Sequence, residues 1–197
     1  RVELLVDLPG AQRLYVVLPT GVIVKTPFSC NAPFLQDPAR SVIKAPSLSP
    51  TNRWLLHRLG RLAGSAMLAW LQNQSLEPDV RAKAYCLLPD KPCDGDSLEA
   101  DVTQAICQGF AEAVGDRPIL LATTGQLVHS NDCIAPPRQT YHVWTPAQLL
   151  EVFGDGDEHV LSEAVSEEQR RRLKSWGWLE RPSDSNVINR LAEGRRV

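Results

Sequence analysis

Apolar and polar positions alternate weakly through VELLVDL, residues 2–8. They then give way to two apolar runs around a proline–glycine break in RLYVVLPTGVIVKTPF, residues 13–28. The first pattern predicts a short strand, and the second a hairpin turning at Pro19, Thr20 and Gly21. FSCNAPFL, residues 28–35, adds another short strand. From Ser49 the period lengthens. Leu55, Leu59, Leu62, Ala66 and Trp70 recur at steps of four, three, four and four, which marks one face of a helix over residues 49–74. Ser49 is the expected cap, with Pro50 at the first helical position. Trp54 and Trp70 are expected in the core. Gly60 and Gly64 each cost about 1 kcal/mol relative to alanine inside a helix. Their presence predicts a closely packed neighbour. Arg53, His57, Arg58 and Arg61 fall largely off the apolar stripe.

After a break at NQSLEPD, a second helix is expected between a Ser97 cap and a Gly115 stop, with Val102, Ile106, Phe110 and Ala113 or Val114 inward. Residues 117–137 read as strand, TTGQ turn, strand. A short helix follows from Thr145 to Gly154, then a strand near His159. Ser166 and Gln169 form a capping box for a helix ending at Gly177. SDSNVINRLAEG gives a last helix. The fold class is α+β (mixed α/β): a small N-terminal sheet packed on a long helix over residues 1–75, then a mixed helix and hairpin region over 76–197. The order lacks a TIM-barrel or Rossmann rhythm.

Composition sharpens this picture little. The chain of 197 residues is 43% apolar and 22% charged, ordinary for a globular protein. Its net charge is −2, but residues 1–71 carry +5 and the remainder −7. Such asymmetry arises either from a half that faces a polyanion or from solvated side chains spread by chance. The five cysteines are odd in number and scattered, with no C-x-x-C pair, which suits a reducing compartment. No 18-residue apolar run predicts a membrane span. A cytoplasmic location without membrane contact is the expectation. The start at RVELLVDL, without Met and already strand-like, suggests a fragment of a longer protein.

No phosphate-binding loop, dinucleotide fingerprint, zinc-protease helix or nucleophile elbow is present. His57, His129, His142 and His159 are dispersed and not spaced for a metal site. His129 and Cys133 share one hairpin, though a cysteine nucleophile also needs an orienting group. EEQRRRLKSWGW interleaves basic and aromatic residues, as single-strand binders do. Its two glutamates and amphipathic spacing instead favour a solvated helix face. Spacing and composition alone describe a globular module with no self-contained active site.

Residues 26–72 contain P-F-x-x-N-A-P-F-x-x-D-x-x-R-x-x-I-x-x-P, followed by N-x-W-L-L and a long amphipathic helix. This segment resembles sacsin-type proteins, relatives of the heat-shock-protein-90 chaperones in the GHKL ATPase superfamily. The matching residues are Pro27, Asn31, Phe34, Arg40, Ile43, Pro46, Asn52, Trp54, Leu55 and Leu56. The later hairpin and LKSWGWLE are similar more loosely, and Trp176 and Trp178 depart from the family's Leu-Gly-Val-like turn. The resemblance implies a segment that follows an ATP-binding domain and couples it to partners. The magnesium-coordinating asparagine, adenine-reading aspartate and glycine-rich loops of that site are not recognisable here. Mg-ATP would then belong to an upstream domain of the parent protein, with no cofactor or metal in this chain. In that setting Arg40, with Lys44 as second candidate, would reach the γ-phosphate. The alternative for Arg40 is an ion pair with Asp37 that shapes the loop. Asn31 and Asn52 are expected to bond loop backbone. A different class of reading makes the chain a non-catalytic interaction module, binding an unidentified protein client or nucleic acid through its basic first half.

Overall fold

Helix ends follow the capping residues closely. In the computed structural model, which describes residues 2–6, 12–24, 26–91, 95–154 and 158–179, the long helix α1 spans Pro50–Gln72. Its Ser49 hydroxyl accepts the Asn52 amide at 3.3 Å. The architecture is α+β. Four short strands precede α1: β1 (Glu3–Leu5), β2 (Arg13–Val16), β3 (Leu18–Ile23) and β4 (Ser29–Asn31). They form one sheet in the order β1-β4-β2-β3. β4 runs antiparallel to β1 and parallel to β2, while β2 and β3 are antiparallel. The hairpin turns at Val17 rather than at Pro19–Gly21, because Tyr15 pairs with Pro19 and Val16 with Leu18. The expected turn residues therefore lie inside β3. Val17 adopts φ 67° at the exposed tip.

After α1 come a five-residue helix α2 (Pro78–Ala82) and a 3-10 turn (Lys83–Leu87), both within or beside the expected break. Helix α3 (Leu98–Val114) starts at a Ser97 cap, whose hydroxyl accepts the Ala100 amide at 3.1 Å, and stops at Gly115 with φ 56°. Strands β5 (Leu120–Leu121) and β6 (Leu127–Val128) form the expected hairpin, turning at Gly125. Strand β7 (Cys133–Ile134) pairs in parallel with β8 (His159–Val160). Helices α4 (Pro146–Phe153) and α5 (Glu167–Ser175) both open with capping boxes, Thr145 with Gln148 and Ser166 with Gln169. The expected last helix lies outside the described residues.

Contacts group the chain into two units, residues 1–69 with 84–115 and residues 70–83 with 116–197. In the first, α3 lies against β3 and crosses α1 at glycines. A Cβ added to Gly60 would come 1.9 Å from the Ile106 carbonyl oxygen, and one on Gly109 2.0 Å from that of His57. The predicted close neighbour of Gly60 and Gly64 is therefore α3. Leu55, Leu56, Leu59, Ala63, Met67 and Leu68 are buried along α1, as are Val102, Ile106, Phe110 and Val114 along α3. The inward face of α1 is rotated from the expected stripe. Leu62 is 41% exposed and Trp54 55% exposed, and Trp70 is only half-buried. The crossing glycines fix that rotation, since backbone approaches closest where no Cβ intervenes.

The second unit holds a core of Ile134, Leu149, Val152, Phe153 and Val160, with Tyr141, Trp144 and Leu150 packed against it. Two arginines are buried in it. Arg81 donates from Nε to the Leu71 carbonyl at 2.7 Å and from Nη1 to that of Gly125 at 2.6 Å. Arg170 donates from Nε to Val165 at 3.1 Å and from Nη1 to Pro136 at 2.8 Å. Its guanidinium also lies over the Tyr141 ring, 5.2 Å from the centroid.

Candidate functional site

The loop between β4 and α1 is closed at its neck and tied to the sheet and to α1. Gln36 and Ile43 form an antiparallel bridge. The Asp37 amide donates to Val42 at 3.0 Å and the Lys44 amide to Leu35 at 2.9 Å. The Asp37 carboxylate accepts the Ser41 amide at 2.8 Å, the Val42 amide at 3.1 Å and the Ser41 hydroxyl at 3.2 Å. These donors, the Val42 amide foremost, hold its pKa below the usual carboxylate range against a smaller desolvation effect. The loop is pinned to the sheet where the Gly21 amide donates to the Ser41 carbonyl at 2.7 Å. It is pinned to α1 by Asn52, which is fully buried. Asn52 accepts the Leu35 amide at 2.8 Å and donates to the Leu35 and Lys44 carbonyls, each at 2.8 Å. Asn31 likewise bonds locally, to the Val17 amide and the Glu3 carboxylate.

Arg40 and Lys44 both project from this loop as exposed residues. The expected Asp37–Arg40 ion pair does not form among the described residues, because Ser41 and Val42 occupy the carboxylate. What links the two is the backbone: the Arg40 amide donates to the Asp37 carbonyl at 3.0 Å. Arg40 adopts φ 56°, the left-handed region that ordinary side chains disfavour. Gln36 Nε2 holds the Arg40 carbonyl at 3.1 Å. The loop thus fixes the backbone of Arg40 while leaving its guanidinium in solvent.

A second basic surface follows on α1. Arg53, Arg58 and Arg61 are exposed, and none has an ion pair among the described residues. The Arg58 guanidinium lies over the half-exposed Trp54 indole, 5.0 Å from the ring centroid. His57 Nε2 contacts Glu112 of α3 at 2.9 Å. Arg53 also lines a shallow cleft of about 180 Å³ with Pro46, Ser47, Asp101, Gln104, Ala105 and Gln108. Ser47 donates to the Asp101 carboxylate there at 3.0 Å. Reading Trp54 as core hid this surface. Its i,i+4 relation to Arg58 on the outer face was the available signal.

The remaining candidates separate. Burial pushes the Cys133 thiol up to about 12, despite the opposing pull of the Arg170 guanidinium. That shift opposes a thiolate nucleophile. His129 approaches Asp116 at 4.0 Å. Among the described residues no group of three His, Cys, Asp or Glu side chains is placed to hold a metal ion. Of the basic run in α5, Arg170 is buried and Arg172 pairs with Glu168 at 2.8 Å, so this helix is ordinary packing with a solvated face. Among the described residues no helix is long and apolar enough to cross a membrane. The structural importance of Arg81 and Arg170 escaped sequence reasoning, since charge alone does not mark a buried position. No family model, curated protein or solved structure matches this chain.

Proposed function

We propose that this chain is a non-nucleotide-binding segment of a sacsin-like, heat-shock-protein-90-like ATP-binding protein, coupling an upstream ATPase domain to partners. In this reading Arg40 contacts the γ-phosphate of Mg-ATP held by that domain, with Lys44 as the second cation. One observation supports it above the others: Arg40 stands outward on a loop tied to the sheet and to α1, with no carboxylate neutralising it among the described residues. A phosphate-contacting arginine needs this combination of a fixed backbone and a free guanidinium. Its planar fork matches phosphate oxygens better than the point charge of lysine.

The test uses the full-length parent protein and measures ATP affinity and turnover beside a melting curve. Arginines supplied in this manner accelerate GTPases by about 10³–10⁵. With metal and phosphate loops already in place, Arg40→Ala is expected to lower turnover by at least about tenfold. Affinity and melting temperature should stay near wild type, and Arg40→Lys should restore part of the rate. Unchanged turnover in Arg40→Ala overturns the reading.

A further inference from the structure

We propose that the outer face of α1, carrying Arg53, Trp54, Arg58 and Arg61, binds single-stranded nucleic acid. The 23 residues of α1 contain no aspartate or glutamate. By contrast, α3 carries Glu99 and Asp101, and α5 Glu167 and Glu168, in their first turns. Acids are favoured at that end of a helix because they complement its positive pole, and a cation such as Arg53 is disfavoured there. The helix therefore adds no acid of its own to this face. Although Asp101 of α3 shares the cleft beside Arg53, none of the three arginines has an ion pair among the described residues, in a chain whose net charge is −2. At 100° and 1.5 Å per residue, Arg53, Arg61, Trp54 and Arg58 fall within an arc of about 140° and a length of about 12 Å.

Trp54 narrows the partner. An indole 55% exposed on a surface helix keeps a large apolar area in water. Arg58 lies over it, its guanidinium carbon 5.0 Å from the ring centroid. An acidic peptide would use the guanidinium groups but gains little from the ring. An unpaired base presents a π-face to the indole while its flanking phosphates meet the arginine forks. In a duplex the bases are already stacked and unavailable to it. This surface shares no residue with the Arg40 reading and stands or falls separately from it.

The experiment titrates the full 197-residue chain into fluorescein-labelled oligo-uridine and oligo-thymidine long enough for a site of about 4–16 nucleotides. Anisotropy is followed between roughly 0.05 and 0.2 M salt, with a matched duplex and polyglutamate as competitors. Single strands should bind, with log K falling against log salt at a slope of about −2 for three phosphate contacts. Trp54→Leu should weaken binding by about fivefold to a hundredfold with the slope kept. Combined Arg53→Ala, Arg58→Ala and Arg61→Ala should abolish both binding and slope. Circular dichroism melts establish that each variant is folded, and Arg58→Lys, which keeps the charge, should retain the slope. The proposal is overturned by no binding of single strands, by affinity indifferent to Trp54, or by a folded triple variant that binds like wild type. Duplex or polyglutamate competing as well as single strands assigns the face to a generic polyanion or an acidic protein, and overturns it as well.

Discussion

Arginine is used in two opposite ways, one seen at four positions of the first unit and the other at two positions of the second. In the first, Arg40, Arg53, Arg58 and Arg61 lie in solvent, and the interior is closed by glycines that let α1 and α3 touch backbone to backbone. In the second, Arg81 and Arg170 are 4% and 3% exposed and act as internal struts between carbonyls of separate segments. A guanidinium carries five donors in a rigid fork, which suits it both to bridging carbonyls inside and to gripping an anion outside. Counting arginines therefore locates no function. What separates a strut from a candidate contact is whether the guanidinium is buried among carbonyls or open to solvent, and Arg170 is buried even though its Nη2 has no hydrogen-bond partner.

Four measurements sharpen or break that contrast. The largest effect is expected from Gly60→Ala. Its Cβ would meet the Ile106 carbonyl, so the crossing must open, and the loss should be about 3 kcal/mol by urea denaturation even after a gain of ~1 kcal/mol in helix propensity. A loss under about 1 kcal/mol would mean the crossing yields easily. Next, Arg170→Met leaves the Val165 and Pro136 carbonyls unpaired and should cost about 1–3 kcal/mol. Arg58→Ala should stay within about 0.5 kcal/mol. Equal costs would erase the distinction between strut and free arginine.

Asn52→Ala removes three hydrogen bonds made by a buried side chain and should cost about 1–3 kcal/mol. It should also speed hydrogen exchange at the Leu35 amide, which donates to the Asn52 side chain. Unchanged exchange would show that the loop does not depend on this clamp. The smallest effect concerns pH. The carboxyl pKa of Asp37 is depressed in the folded state. Its contribution is present above the unfolded value of about 3.9 and fades as pH falls below it through the folded pKa. The Ser41 and Val42 amide resonances should titrate with a midpoint below about 3.9, and Asp37→Asn should remove that transition.

Local chemistry made much of the fold legible. Ser49, Ser97, Thr145 and Ser166 each cap the helix expected of them, and Gly115, Gly125 and Gly177 adopt positive φ where a stop or turn was expected. The inward face of α1 was misread because apolar residues surround the second half of this helix, leaving periodicity with two nearly equal solutions. Gly60 and Gly64 held the answer, since a glycine pair marks the side of closest approach. The β2–β3 turn was misplaced because Pro19 and Gly21 are usual turn formers, whereas pairing put Val17 at the tip. Of the loop, Asn52 was read correctly as a backbone ligand, and Asp37 was given the wrong partner. Hydrogen bonds from successive amides are invisible to a reading based on charge.

The left-handed backbone of Arg40 has a consequence for the protein's evolution and its engineering. Glycine occupies φ 56° without the roughly 1–2 kcal/mol steric penalty of an ordinary side chain. At this position Arg40→Gly relieves strain and deletes the guanidinium together. A library sorted only for thermal resistance would retain that change as an improvement, while one sorted for the proposed γ-phosphate contact would discard it if that proposal holds. Persistence of arginine across independent lineages would then be a signature of selection acting against the preference of the backbone itself.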